Sequence, residues 1–162
     1  VKPEGGGDIK IDREGRLWHE GEEIVHEGLR AALFRWLDRQ DADSPANASH
    51  RGEPRYVFRL DQNRFAHVEV EDTPLVARAV QWIDGHPILM LSDGASEPLD
   101  PRLLTVDAEG VLRAWVRNGR LEARLATSAV AGLAGALDED ARGLSLILGG
   151  VEHAVSFRPI GA

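Results

Sequence analysis

The chain has 162 residues, 43% hydrophobic and 28% charged, enough to bury a core in one domain or two small ones and too evenly mixed to be disordered or fibrous. Its formal charge of −8 at pH 7 disfavours long-range attraction to nucleic acid or an anionic membrane, and neither is expected as a partner. The absence of cysteine excludes disulfides, thiol catalysis and Cys-ligated zinc.

The opening "VKPEGGG" has no periodicity and no signal-peptide pattern, so residues 1–7 are expected to be a flexible lead-in to a cytoplasmic protein. "IKID", "REG" and "RLWHE" read as a hairpin in which Ile9 and Ile11 share a face that Leu17 and Trp18 could cover. From Leu29, the positions Leu29, Ala32, Leu33, Trp36 and Leu37 form an amphipathic stripe and predict a helix over 27–38. The Asp, Ser, Pro, Asn and Gly residues of 38–54 predict a surface loop, which carries a chance glycosylation triplet at Asn47.

Strands follow at 55–60, 64–71, 75–83 and 86–92, joined by "DQN", "DTP" and "DGH", and together they predict an antiparallel meander. After a proline-bearing loop, "LLTVD", "VLRAWVRN" and "LEARLA" predict three more strands. "TSAVAGLAGALDED" predicts a helix over about 127–138, weakened by Gly132 and Gly135. "GLSLIL" and "VEHAVSF" close the chain as a hairpin about Gly149 and Gly150. The pattern implies a β-rich α+β fold of two adjoining subdomains, 8–84 and 86–160, with no internal repeat.

Few residues suggest chemistry. His19 and His26 stand seven residues apart across a turn, whereas a helical zinc-protease motif needs them one helical turn apart, so no metal is expected there. On the strand 64–71, His67, Glu69 and Glu71 alternate to one face, a pattern able to support acid–base work but equally the solvent face of a half-buried strand. Ser92 and Asp93 sit in a Gly-containing loop that lacks the setting of a nucleophile elbow. Trp18, Trp82 and Trp115, the last near Arg113, could stack on a ligand. Trp36 belongs to the helical stripe and is expected in the core.

"GDIKIDREGRLWHEGEEIVHEGL", "VEDTPLVA" at 70–77 and "NGRLEARLATSAVAGLAGAL" at 118–137 resemble the successive landmarks of the domain of unknown function 1285 family of bacterial proteins. The chain departs from that pattern in its longer loop at 38–54, in the small residues of its second helix and in "LMLSDG", where members tend to have a Thr-Asn step. The resemblance implies a compact β-rich α+β fold of two subdomains in a bacterial, cytoplasmic protein, and it supplies no activity. The expected role is a non-enzymatic module, monomer or homodimer, binding a small molecule or protein at the join of the two halves without a cofactor. The alternatives are a metal-assisted or acid–base enzyme built on His67, Glu69 and Glu71, which requires His19 or His26 to converge on His67, and a structural protein that self-associates through a strand edge.

Overall fold

The structure, a computed structural model, describes residues 9–40, 55–61 and 63–158. The lead-in 1–7, most of the expected loop and Asn47 lie outside the described residues. The chain divides into two compact units, Val1–Pro74 and Leu75–Ala162.

Unit 1 is a six-stranded sheet with one helix. The hairpin of β1 (Ile9–Ile11) and β2 (Leu17–His19) forms where expected, and β3 (Glu22–Glu23) extends it across a tight turn at Glu20 and Gly21. Both turn residues have positive φ, 51° and 84°, the backbone twist that two-residue hairpins favour. Helix α1 (Glu27–Trp36) passes without a linker into β4 (Leu37–Gln40), a strand where a loop was expected. Its stripe is turned from the predicted one: Leu33 and Phe34 are buried, Leu29 is 46% exposed and Trp36 only half-buried. β5 (Arg55–Arg59) pairs antiparallel with β4 and with β6 (Phe65–Val70), and β6 then runs parallel to β1.

That last pairing breaks the predicted meander. The strand after Pro74, β7 (Leu75–Ile83), does not return along β6 but enters the seven-stranded sheet of unit 2. It pairs antiparallel with β8 (His86–Leu91) and parallel with β12 (Leu121–Leu125). The predicted loop at 93–102 contains β9 (Ser96–Pro98) and a 3-10 turn at Pro101–Leu103. β10 (Leu104–Val106), β11 (Leu112–Val116) and β12 form an antiparallel run. Helix α2 (Thr127–Leu133) ends in a 3-10 turn at Ala134–Ala136, and β13 (Leu137–Asp140) occupies what was read as its last turn. β14 (Gly143–Leu148) and β15 (Val151–Ala154) complete a three-stranded sheet, turning at Gly149 and Gly150 as predicted. β16 (Ser156–Phe157) then lies parallel to β10.

The two units contain the same motif, an internal repeat that the sequence reading missed. In each, a short strand turns at an aspartate into an antiparallel partner, a helix follows, and after it come three antiparallel strands; the strand that returns parallel to the first is the third of these in unit 1 and the separate β16 in unit 2. "IKIDREGRLW" at 9–18 aligns position for position with "LTVDAEGVLR" at 104–113, with the same hairpin register. Asp12 Oδ1 accepts from the backbone N–H of Glu14 and Arg16, and Asp107 Oδ1 from that of Glu109 and Val111. Gly15 and Gly110 both have φ of 82°, which only glycine adopts without steric cost. Ile11 and Leu17 in one unit and Leu104 and Leu112 in the other bury their side chains at 0–3% exposure, worth about 1.5–3 kcal/mol each.

Candidate functional site

Strand register sorts the candidate residues of unit 1 onto two faces. Ile9, Ile11, Leu17 and His19 share the apolar face with Val68 and Val70, because the pairs Ile9 with His19, Ile11 with Leu17 and Ile11 with Val70 stand side by side. Lys10, Trp18, Glu23 and Glu69 form a row across the opposite, polar face. Trp18 is therefore not a cover for Ile9 and Ile11, as the sequence suggested. Only Leu17 is.

On the polar face lies a cavity of 550 Å³ lined by Lys10, Asp12, Trp18, Glu20, Gly21, Glu69 and Glu71. The hairpin turn carries Glu20 and Gly21 to its rim, and the parallel pairing of β1 with β6 brings Glu69 and Glu71 alongside. Trp18 is held at one edge, its Nε1 donating to Asp12 Oδ2 at 2.8 Å. The Arg16 guanidinium lies 5.6 Å from the indole centroid, and its Nε donates to the same Asp12 oxygen at 2.8 Å. Burial pushes the Asp12 carboxyl upward, but hydrogen bonds from Trp18, from the Arg16 backbone and side chain and from the Glu14 backbone outweigh it, and the group stays ionised below the usual range.

The lining carries four carboxylates against one ammonium. Asp12 is committed to Trp18 and the turn, and Glu71 Oε2 accepts from Arg13 N–H at 2.8 Å. Glu20 and Glu69 make no hydrogen bond or ion pair among the described residues, and Lys10, beside Glu69 in register, does not pair with it. A pinned aromatic platform with uncommitted carboxylates around it suits binding.

The histidines do not converge. His26 caps α1, its Nδ1 accepting from Leu29 N–H at 3.1 Å. His19 lies on the apolar face, and His67 on the polar face, next to Gln40 Oε1 at 3.1 Å and edge-on to Phe65. Among the described residues no three His, Asp or Glu side chains gather as a metal site requires.

The candidates in unit 2 make contacts within their own unit. Ser92 Oγ accepts from Val76 N–H at 2.9 Å, and Asp93 takes hydrogen bonds from Ala95 N–H and the Arg117 guanidinium. Trp82, 41% exposed, donates Nε1 to the Gly132 carbonyl at 2.8 Å and so ties β7 to α2. Trp115 stands beside the buried Glu122. Arg113 occupies the position of Trp18 in the repeat and pairs with Asp107 at 2.7 Å. Sequence reasoning missed Lys10, Asp12, Glu20 and Gly21. The signal for Asp12 was present in the second copy of Asp-x-Glu-Gly-x-Leu at Asp107.

Two solved structures resemble the whole arrangement. A DUF1285 family protein from Silicibacter pomeroyi DSS-3 matches with a TM-score of 0.71 and 18% identity, over 93% of this chain and 80% of that one. This chain has the DUF1285 fold. A second DUF1285 protein, from Shewanella baltica OS155, matches with a TM-score of 0.61 and 14% identity, over 80% of this chain and 91% of that one. No family model and no curated protein matches the sequence. The DUF1285 fold carries no assigned chemistry, so the functional argument rests on the cavity.

Proposed function

We propose that the chain is a divergent, bacterial member of the DUF1285 family and acts without catalysis, binding a small molecule or an extended partner segment in the Trp18 cavity of unit 1. The single observation that carries this reading is a tryptophan fixed by Asp12 at the wall of a 550 Å³ cavity, a volume in the range of ligand sites. Holding the indole in place before the ligand arrives reduces the ordering cost of association. The enzyme alternative is less favoured, because His19 and His67 lie on opposite faces and His26 caps the helix. Edge pairing is disfavoured at β3, β9 and β13, which are short and carry Glu22 and Glu23, Pro98, and Asp138 to Asp140 respectively.

The test is a fragment screen read by the indole N–H signals of protein labelled at tryptophan. Saturable movement of the Trp18 signal by at least one fragment, with loss of the accompanying thermal stabilisation in Trp18→Leu, supports the reading. Movement confined to Trp82 or Trp115, or no movement at all, ends it.

A further inference from the structure

We propose that the Trp18 cavity selects an organic cation, an ammonium or guanidinium group on an alkyl chain, an inference that rests on the binding reading above and assigns its ligand class. Three separate observations lead there.

The first is the charge of the wall. With Asp12 paired with Arg16 and Glu71 engaged by the Arg13 N–H, Glu20 and Glu69 remain as carboxylates without partners among the described residues, and Lys10 is the one cation among the lining residues. A cation entering beside Trp18 supplies Glu20 and Glu69 with a counter-charge.

The second is that the chain itself places a cation on this indole. Arg16 sits over the Trp18 ring at 5.6 Å while paired with Asp12, with its side chain 49% exposed. The ring and its carboxylate thus already form a cation-binding pair, and a ligand reaching the cavity side of the indole meets the same chemistry.

The third comes from the internal repeat. Lys10, Trp18, Glu23, Glu69 and Glu71 of unit 1 correspond in register to Thr105, Arg113, Arg124, Ser156 and Arg158 of unit 2. In the second copy the chain supplies its own guanidinium groups to this face: Arg113 pairs with Asp107 at 2.7 Å and Arg158 with Glu122 at 3.1 Å. The first copy keeps the aspartate, has carboxylates at three of the positions where the second has serine or arginine, and is left hollow. In unit 1 Arg16 already pairs with Asp12, and a cationic ligand would meet the carboxylates that stand where unit 2 carries serine and arginine.

The experiment titrates the full chain with agmatine as the cation, adipate as an anion of similar length and hexanediol as the neutral control, following the Trp18 indole signal. The expected result is saturable movement with agmatine alone, weakened roughly two- to five-fold in Glu69→Gln and strengthened by a similar factor in Lys10→Gln. Raising the salt concentration should weaken it further. Both variants alter exposed side chains and leave the fold intact, so the two opposite shifts do not depend on Trp18 itself. Adipate or hexanediol moving the signal in place of agmatine overturns the cation assignment and leaves the binding reading standing. Agmatine without effect on Trp18 also overturns the assignment, and the fragment screen then decides the binding reading separately.

Discussion

Asp12 and Asp107 do the same work with arginine partners at different depths, and that difference sets what each is worth. Both close a turn by accepting two backbone N–H bonds on Oδ1, but Asp12 Oδ2 takes Trp18 and Arg16, whereas Asp107 Oδ2 takes Arg113 with both partners about nine-tenths buried. Breaking a buried ion pair costs about 3 kcal/mol or more, and losing turn bonds together with a pair to a half-exposed arginine costs about 1–2 kcal/mol. Asp107→Ala is therefore expected to lower the urea midpoint more than Asp12→Ala, with the slope of the transition unchanged, and equal effects would contradict the ranking. Acid makes the same point. The Arg113 hydrogen bond holds Asp107 below the ordinary 3.8, and its hydrogen bonds hold Asp12 below it against burial. A depressed carboxyl contributes its stability fully above the unfolded value and loses it as pH falls through the folded one, so both contributions persist above 3.8 and disappear below it. Denaturation followed downward in pH should show a shallower acid limb in Asp107→Asn than in the unaltered protein.

The helices show where local rules read the chain correctly and where they fall short. His26 is an unusual cap, because the imidazole must offer a bare Nδ1 to Leu29 N–H, yet it does the work of Ser or Asp. His26→Ala should cost about 0.5–2 kcal/mol by urea denaturation, and His26→Asp should recover it while adding a negative charge at the positive end of the helix. The two glycines near the end of α2 differ in the same testable way. A Cβ on Gly132 would meet the Val80 Cβ at 3.1 Å, on a β-branched residue fixed in a strand, while one on Gly135 meets nothing within 4 Å. Gly135→Ala should stabilise by up to about 1 kcal/mol and Gly132→Ala should destabilise, a difference in sign that thermal midpoints resolve. Gly132 thus belongs where helix propensity argued against it, since it lets α2 approach β7 and receive the Trp82 hydrogen bond on its carbonyl. Hairpins and turn glycines were readable because their chemistry is local. The parallel pairings of β1 with β6 and of β7 with β12 join segments far apart in sequence, and neither strand carries a local mark of its partner. The same applies to β4 and β13, where strand pairing with β5 and β14 overrides a loop-like and a helix-like composition.

Over the whole molecule the repeat explains why only part of the candidate site was legible. Trp18 was picked out alone and Glu69 and Glu71 together with His67, but their assembly into one cavity depends on β6 running beside β1, and Asp12 gains meaning only when Asp107 is seen to repeat it. The two copies keep the apolar residues, the aspartate and the glycine that make the motif fold, and they differ on the polar face, where function can vary without cost to the core. That division predicts an exchange. In Trp18→Arg the new guanidinium stands where Arg113 stands in the second copy, within reach of Asp12 as Arg113 is of Asp107. It should hold stability within about 1 kcal/mol of the unaltered protein, because a charge-assisted bond replaces the indole bond at a half-buried position. Trp18→Ala, which loses both the bond and the ring, should cost about 2 kcal/mol or more. Both should abolish the response to agmatine, one by filling the cation position from within the chain and the other by removing the platform. Urea denaturation separates the two variants, and heat of binding with agmatine unites them. A Trp18→Arg protein as unstable as Trp18→Ala would mean that the resemblance of the two copies stops at the backbone.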